Sequence, residues 1–135
     1  MEDKIIPSVP IVLNNHYTPN QPTPSRCYEL GLEIKKAIES MPDNINVAVV
    51  ATGGLSTPVL DEEIDRHLLA ALSSKDVKAI CELPHEWLRG GRGEMRNWIC
   101  AAGIASGLNM HVIDYVPAYR TAAGTGCGLG FAQWY

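Results

Sequence analysis

Val47-Ala48-Val49-Val50-Ala51-Thr52-Gly53-Gly54-Leu55-Ser56-Thr57-Pro58 is the stretch around which the chain is organised. Its first five residues are small or apolar and read as a buried strand. The Gly53-Gly54 pair lets the backbone turn tightly or meet another group closely. Ser56-Thr57 then leads into an acidic helix start. Strand, glycine turn and helix in that order expose residues at the C-terminal edge of a parallel sheet, where α/β proteins bind ligands. That edge is where a function is sought.

Upstream, residues 1–8 form a polar lead-in, and residues 9–13 read as a short strand ending in Asn14-Asn15, with His16 and Tyr17 at its mouth. Three prolines between residues 18 and 24 mark a rigid loop. Thr23 can cap a helix with Pro24 at its first position. Cys27, Leu30, Ile34, Ala37 and Ile38 give that helix one apolar face down to about Ser40. Downstream, either Thr57-Pro58 or Asp61 opens the next helix, whose first turns are crowded with Asp61, Glu62, Glu63 and Asp65 and whose buried stripe is Leu60, Ile64, Leu68, Leu69 and Leu72. Ser73 to Asp76 fits a capping box for a short helix. Gly90-Gly91-Arg92-Gly93 reads as a flexible loop before a helix through Met95, Trp98, Ile99, Ala102 and Ala105, ending near Gly107. Residues 109–116 read as a last strand closed by Pro117. The expectation is a single α/β domain over residues 1–135, with a small, mostly parallel sheet, helices on both faces, and an irregular glycine-rich tail from about residue 118.

Composition narrows the function. The chain has 135 residues, 46% hydrophobic and 19% charged, with eleven basic against fifteen acidic side chains and a formal charge of -4. Without a basic block, nucleic acid and anionic membrane surfaces are poor partners. No apolar run reaches about 18 residues, so a spanning helix is not expected. Cys27, Cys81, Cys100 and Cys127 lack C-x-x-C spacing and a histidine cluster, which reads as buried or free thiols in a reducing compartment, with cytoplasm as the default.

Several residues bear chemistry. Glu94 opens a helix after the glycine loop, flanked by Arg92 and Arg96, and is either a first-turn acid or a carboxylate aimed into a cleft as a metal ligand. Of His16, His67, His85 and His111, none forms a ligand pair by spacing. His67 reads as a surface residue, His111 as a satisfied core histidine, and His85 is undetermined. His16, beside Tyr17 at the presumed ligand edge, has structural and functional readings of equal weight. Ser56 and Thr57 either cap the helix or hydrogen-bond a ligand. Phosphate-loop and nucleophile-elbow templates are absent.

Asn20 to Gly31, Ala51-Thr52-Gly53-Gly54-Leu55-Ser56, and Gly93-Glu94-Met95-Arg96-Asn97-Trp98-Ile99 with Ala102-Gly103, in this order and spacing, resemble the catalytic subunit of class III extradiol ring-cleavage dioxygenases, the protocatechuate 4,5-dioxygenase beta type. The resemblance covers nearly all of this chain and only the C-terminal half of a family member. It implies a non-haem Fe(II) held by two histidines and a glutamate, with a catecholic substrate chelating the metal. The glutamate position falls on Glu94, and both histidine ligands belong to the N-terminal half. Where the family has Gly-Leu-Ser-His, with that histidine as acid/base on the substrate hydroxyl, this chain has Thr57, which cannot take a proton near neutral pH. Losing a positioned acid/base removes something like 10²–10⁴-fold in rate.

The resemblance thus implies an oligomeric subunit that acts on a small aromatic molecule, Fe(II) being bound only with ligands from a homologous or complementary partner chain. Glu94 would be the metal ligand, His16 and Thr57 the catalytic candidates, and Tyr17, Ser56 and Thr57 would border the substrate. A divergent relative with hydrolase or lyase chemistry and a noncatalytic binding or structural subunit are the alternatives.

Overall fold

The computed structural model describes residues 6–135; residues 1–5 of the expected lead-in lie outside the described residues. Helix α1 (Pro24–Glu39) starts where the Thr23 side chain accepts the Arg26 amide and Pro24 takes the first helical position, so the missing proline N–H leaves no bond unmade. Helix α2 (Glu62–Ser73) is capped by Asp61, which accepts from the Ile64 amide, and Glu62, Glu63 and Asp65 occupy its first turn. Helix α3 (Val77–Cys81) is capped by Asp76. Two 3-10 turns, His85–Leu88 and Gly90–Glu94, feed helix α4 (Met95–Ile104). The chain then forms strands β1 (Met110–Tyr119) and β2 (Gly126–Trp134).

The sheet differs from expectation. It is two-stranded and antiparallel, running from Met110 opposite Trp134 to Tyr119 opposite Gly126, rather than mostly parallel. Residues 9–13 and 47–51, read as strands, form no ladder. The reason is the lack of a paired neighbour: among the described residues neither segment makes a backbone–backbone hydrogen bond, and Val9, Val12 and Val50 are 83%, 89% and 80% exposed. Parallel strands need cover on both faces, and here Leu13 packs against the core while residues 9–12 and 47–51 are exposed. The segment after residue 118, read as irregular, instead carries β1 through Pro117 to Tyr119 and then forms β2. Gly126, Gly128 and Gly130 recur at the strand period of two, so all three face the same side. A side chain at Gly128 would strike the Asp65 carboxylate, and one at Gly130 would crowd Trp98 at 3.0 Å.

Helices α1 and α4 pack through Gly31 and Gly103, where backbone meets backbone. A Cβ at Gly31 would collide with the Cys100 carbonyl, and one at Gly103 with the Tyr28 carbonyl. The buried face of α1 is therefore Cys27, Tyr28 and Gly31, while Leu30 is 36% exposed. The α2 stripe is buried as expected, with Leu60, Ile64, Leu68, Leu69 and Leu72 in the core. All four cysteines are free, and burial pushes the Cys27 thiol up to about 12, which makes it unreactive at neutral pH.

Asp65 is fully buried and ties three segments together. It accepts from the Ser56 amide (2.8 Å), the Ser56 hydroxyl (2.7 Å) and the Tyr115 hydroxyl (2.7 Å). Burial raises its pKa against the pull of those donors. Because Gly31 allows no room for even one methyl group, Gly31→Ala is expected to lower the unfolding free energy by roughly 1–3 kcal/mol in urea titration; an unchanged midpoint would show that the two helices can slide apart freely.

Candidate functional site

The 3-10 turn Gly90–Glu94 is the centre of the candidate site, because three otherwise distant segments abut it. A Cβ at Gly91 would strike the Thr57 carbonyl, one at Gly93 would strike the Asn15 carbonyl, and Gly53 lies against the Glu94 side chain, a Cβ there falling 2.8 Å from Glu94 Cβ. Only glycines tolerate such approaches. Gly53 also needs its lack of a side chain for conformation, at φ +124°. Arg92 ties the turn to the start of α2 through an ion pair with Asp61 at 3.3 Å.

The first turn of α4 clamps the Thr52-Gly53-Gly54 loop. The Glu94 carboxylate accepts the Gly54 amide through Oε2 at 2.9 Å, Asn97 Nδ2 donates to the Thr52 carbonyl at 2.7 Å, and Trp98 Nε1 donates to the Gly53 carbonyl at 3.2 Å. Glu94 itself stays exposed, and Oε1 takes no hydrogen bond among the described residues. Asn97 also accepts from Asn15 Nδ2 at 3.1 Å, and this fixes the Asn15 amide so that its buried Oδ1 has no partner.

Arg96 holds the other side. It is fully buried with no carboxylate against it; its Nε donates to the Pro22 carbonyl at 2.8 Å and its Nη1 to the Leu88 carbonyl at 2.6 Å. Burial lowers its pKa, but from a starting value high enough that it stays charged. One side chain thereby ties the proline loop and the turn before Gly90 to α4.

The expected site residues distribute unevenly. Glu94, Thr57 and the Asn15-His16 step all border the glycine turn. His16 and Tyr17 sit exposed in a turn closed by Asn14, their rings edge to face at 5.3 Å. Ser56, expected to border a substrate, is fully buried instead: its hydroxyl donates to Asp65 and accepts the Asp61 amide at 2.8 Å, so nothing is left for a ligand. His111, read as a core residue, is exposed on β1. His67 is on the surface against Trp87, and His85 Nε2 lies 3.4 Å from Arg96 Nη2. Among the described residues no three His, Cys, Asp or Glu side chains group to hold a metal ion. The chain by itself therefore does not fit Fe(II), offering one carboxylate and no imidazole pair beside it.

Residues 3–130 match the family described as the catalytic LigB subunit of aromatic ring-opening dioxygenase. The chain belongs to that family. The match covers nearly the whole chain and corrects the narrower reading in which it answered only to the C-terminal half of a family member. A gallate dioxygenase of Pseudomonas putida is 54% identical over 41 residues, which are 30% of this chain and 12% of that protein, so the matched segment spans only a small share of its relative. No solved structure matches.

Sequence reasoning passed over Arg96, Asn97 and Asn15. Periodicity marks a buried face but carries no sign that a charged residue on it will be satisfied by carbonyls. Arg96→Lys keeps the charge but loses the planar fork, and is expected to cost roughly 2–4 kcal/mol of stability, since bonds to charged groups are worth about 1.5–3 kcal/mol each. A loss below about 0.5 kcal/mol in chemical denaturation would mean the fork is dispensable.

Proposed function

We propose that this chain contributes the carboxylate of a non-haem Fe(II) site in an extradiol dioxygenase-like protein that acts on a small catecholic aromatic, the two imidazoles coming from a partner chain. The observation that carries this reading is Glu94: in a chain of a ring-opening dioxygenase family, one carboxylate oxygen is fixed by the Gly54 amide and the other is left free at the mouth of a glycine-lined turn. A carboxylate and two imidazoles are the ligand set that leaves positions open on Fe(II). The metal, when bound, supplies Lewis-acid and redox chemistry to the substrate oxygens.

The rest of the chemistry belongs to this chain's own residues. The Gly54 amide holds Glu94 in one orientation, so the carboxylate is positioned before any ligand arrives. His16, exposed beside the turn, is the group able to hold or move a proton at a substrate hydroxyl. Thr57 borders the same turn and can donate a hydrogen bond but not act as a base. Tyr17 offers a phenol to a substrate oxygen or carboxylate. Ser56 is left out because Asp65 engages it.

One observation favours a second, noncatalytic reading: the Glu94 bond to Gly54 also serves as a structural clamp. Glu94→Gln separates the two, because a carboxamide oxygen can still accept the Gly54 amide while binding a cation poorly. In anaerobic Fe(II) titration with free imidazole standing in for the partner's ligands, the proposal expects binding by the unaltered chain and a loss of roughly tenfold or more in Glu94→Gln. Equal binding by both, or none by either, would leave the clamp as the role of Glu94.

A further inference from the structure

Among the described residues, Asn97 is the one α4 side chain that bonds both the Thr52-Gly53-Gly54 loop and the segment carrying His16. Its Nδ2 donates to the Thr52 carbonyl at 2.7 Å, and its Oδ1 accepts from Asn15 Nδ2 at 3.1 Å. The two bonds fix each other's direction. A backbone carbonyl can only accept, so Asn97 must turn its NH2 toward Thr52 and its oxygen toward Asn15. Asn15 must then answer with its own NH2. Its oxygen is left buried without a donor among the described residues. A buried acceptor stranded in this way costs stability, and its explanation lies in what the arrangement holds in place.

What it holds is the step before His16. The Asn15 carbonyl seats on Gly93, where a Cβ would collide with it, and accepts from Gln21 Nε2 at 3.2 Å and Arg96 Nη1 at 3.5 Å. On the far side of His16 the Asn14 side chain closes the turn, its Nδ2 donating to the Tyr17 carbonyl at 2.7 Å and its Oδ1 accepting the Tyr17 amide at 3.0 Å. Those bonds are internal to the turn, so they shape it without placing it. Placement comes through Asn15. Asn97 anchors Asn15 three residues after Glu94, and the same carboxamide holds the loop whose Gly54 amide orients the Glu94 carboxylate.

On the reading of Glu94 and His16 as parts of one site, we propose that Asn97 is a positioning residue that keeps the His16 turn in register with the Glu94 carboxylate. An exposed imidazole serves proton transfer only where its distance to the reacting group is held. The stranded Asn15 oxygen is the local cost of that hold, of the kind proteins tolerate at sites.

Backbone 15N relaxation of three variants tests this without any metal. Asn97→Asp still accepts from Asn15 but no longer donates to Thr52, Asn97→Ala loses both bonds, and Asn15→Ala loses only its own. Asn15 lies outside the helices and the hairpin, so Asn15→Ala gives a folded comparison even where a change within α4 does not. At His16 and Tyr17 the expected order parameter is about 0.85 in the unaltered chain and in Asn97→Asp, and below about 0.6 in Asn97→Ala and Asn15→Ala. At Gly53, whose amide shares a peptide plane with the Thr52 carbonyl, it falls in both Asn97 variants and holds in Asn15→Ala. A role confined to folding would not tell Asp from Ala at His16. Equal order at His16 in all four proteins, or equal loosening by Asn97→Asp and Asn97→Ala, would overturn the proposal. Mn(II) relaxation with free imidazole separates it from the metal reading. Broadening at Gly54 that persists in Asn15→Ala while the His16 ring signal escapes supports the proposal, and a ring signal broadened alike in both contradicts it. No broadening at Gly54 in the unaltered chain would remove the metal reading and leave the order parameters to decide.

Discussion

A buried guanidinium without a counter-carboxylate is the constraint on which the site depends. Arg96 is fully enclosed, and its desolvation is offset chiefly by the backbone carbonyls of Pro22 and Leu88, with longer contacts to the Asn15 and Gly93 carbonyls and to His85 Nε2. Both carbonyls must therefore stay where they are, since withdrawing either would leave a charge in a poorly polar interior. The proline loop is held on one side of α4 and the turn before Gly90 on the other. Glu94, two residues before Arg96, is fixed between them and meets the Gly53-Gly54 loop, which Asn97 and Trp98 clamp from the first turn of α4.

A second polar knot complements the first. Asp65, Ser56 and Tyr115 bring the segment after Gly54, the start of α2 and strand β1 to one buried point. Further bonds run from the Leu55 amide to the Gly128 carbonyl and from the Gly126 amide to the Pro58 carbonyl, so residues 55–60 follow β2 closely without becoming a regular strand. The two knots flank Gly53-Gly54. That explains why this loop is well anchored although the residues just before it are bare.

How much of this was legible follows from what each signal measures. Helix starts were largely readable because a cap is a local event: Thr23 accepts an amide three residues on as expected, and Asp61, one of the two starts its stretch offered, does the same, whereas α3 is capped by Asp76 and not by Ser73, which ends α2 instead of opening a capping box. Sheet pairing was not readable, because a strand's partner is set by what lies beside it. Residues 47–51 carry the residues of a buried parallel strand and lack the neighbour. The glycines at 126, 128 and 130 held a legible signal that was passed over, the period of two that marks one face of a strand. Of the site, Glu94 could be picked out by its place after the glycine turn, and Thr57 by its departure from the family pattern. The engagement of Ser56 by Asp65 and the carbonyl cage of Arg96 depend on contacts 9 and 74 residues apart in the chain, which local pattern does not record.

The central claim is that a divalent metal, given imidazoles from outside the chain, settles at Glu94 and not at the acidic start of α2. Paramagnetic broadening of amide signals by Mn(II) in the presence of free imidazole locates the ion directly. The account predicts that Gly53, Gly54 and Glu94 broaden first, and that this is lost in Glu94→Gln. Broadening centred on Glu62 and Glu63, or spread evenly over the surface and unchanged by the substitution, would contradict it.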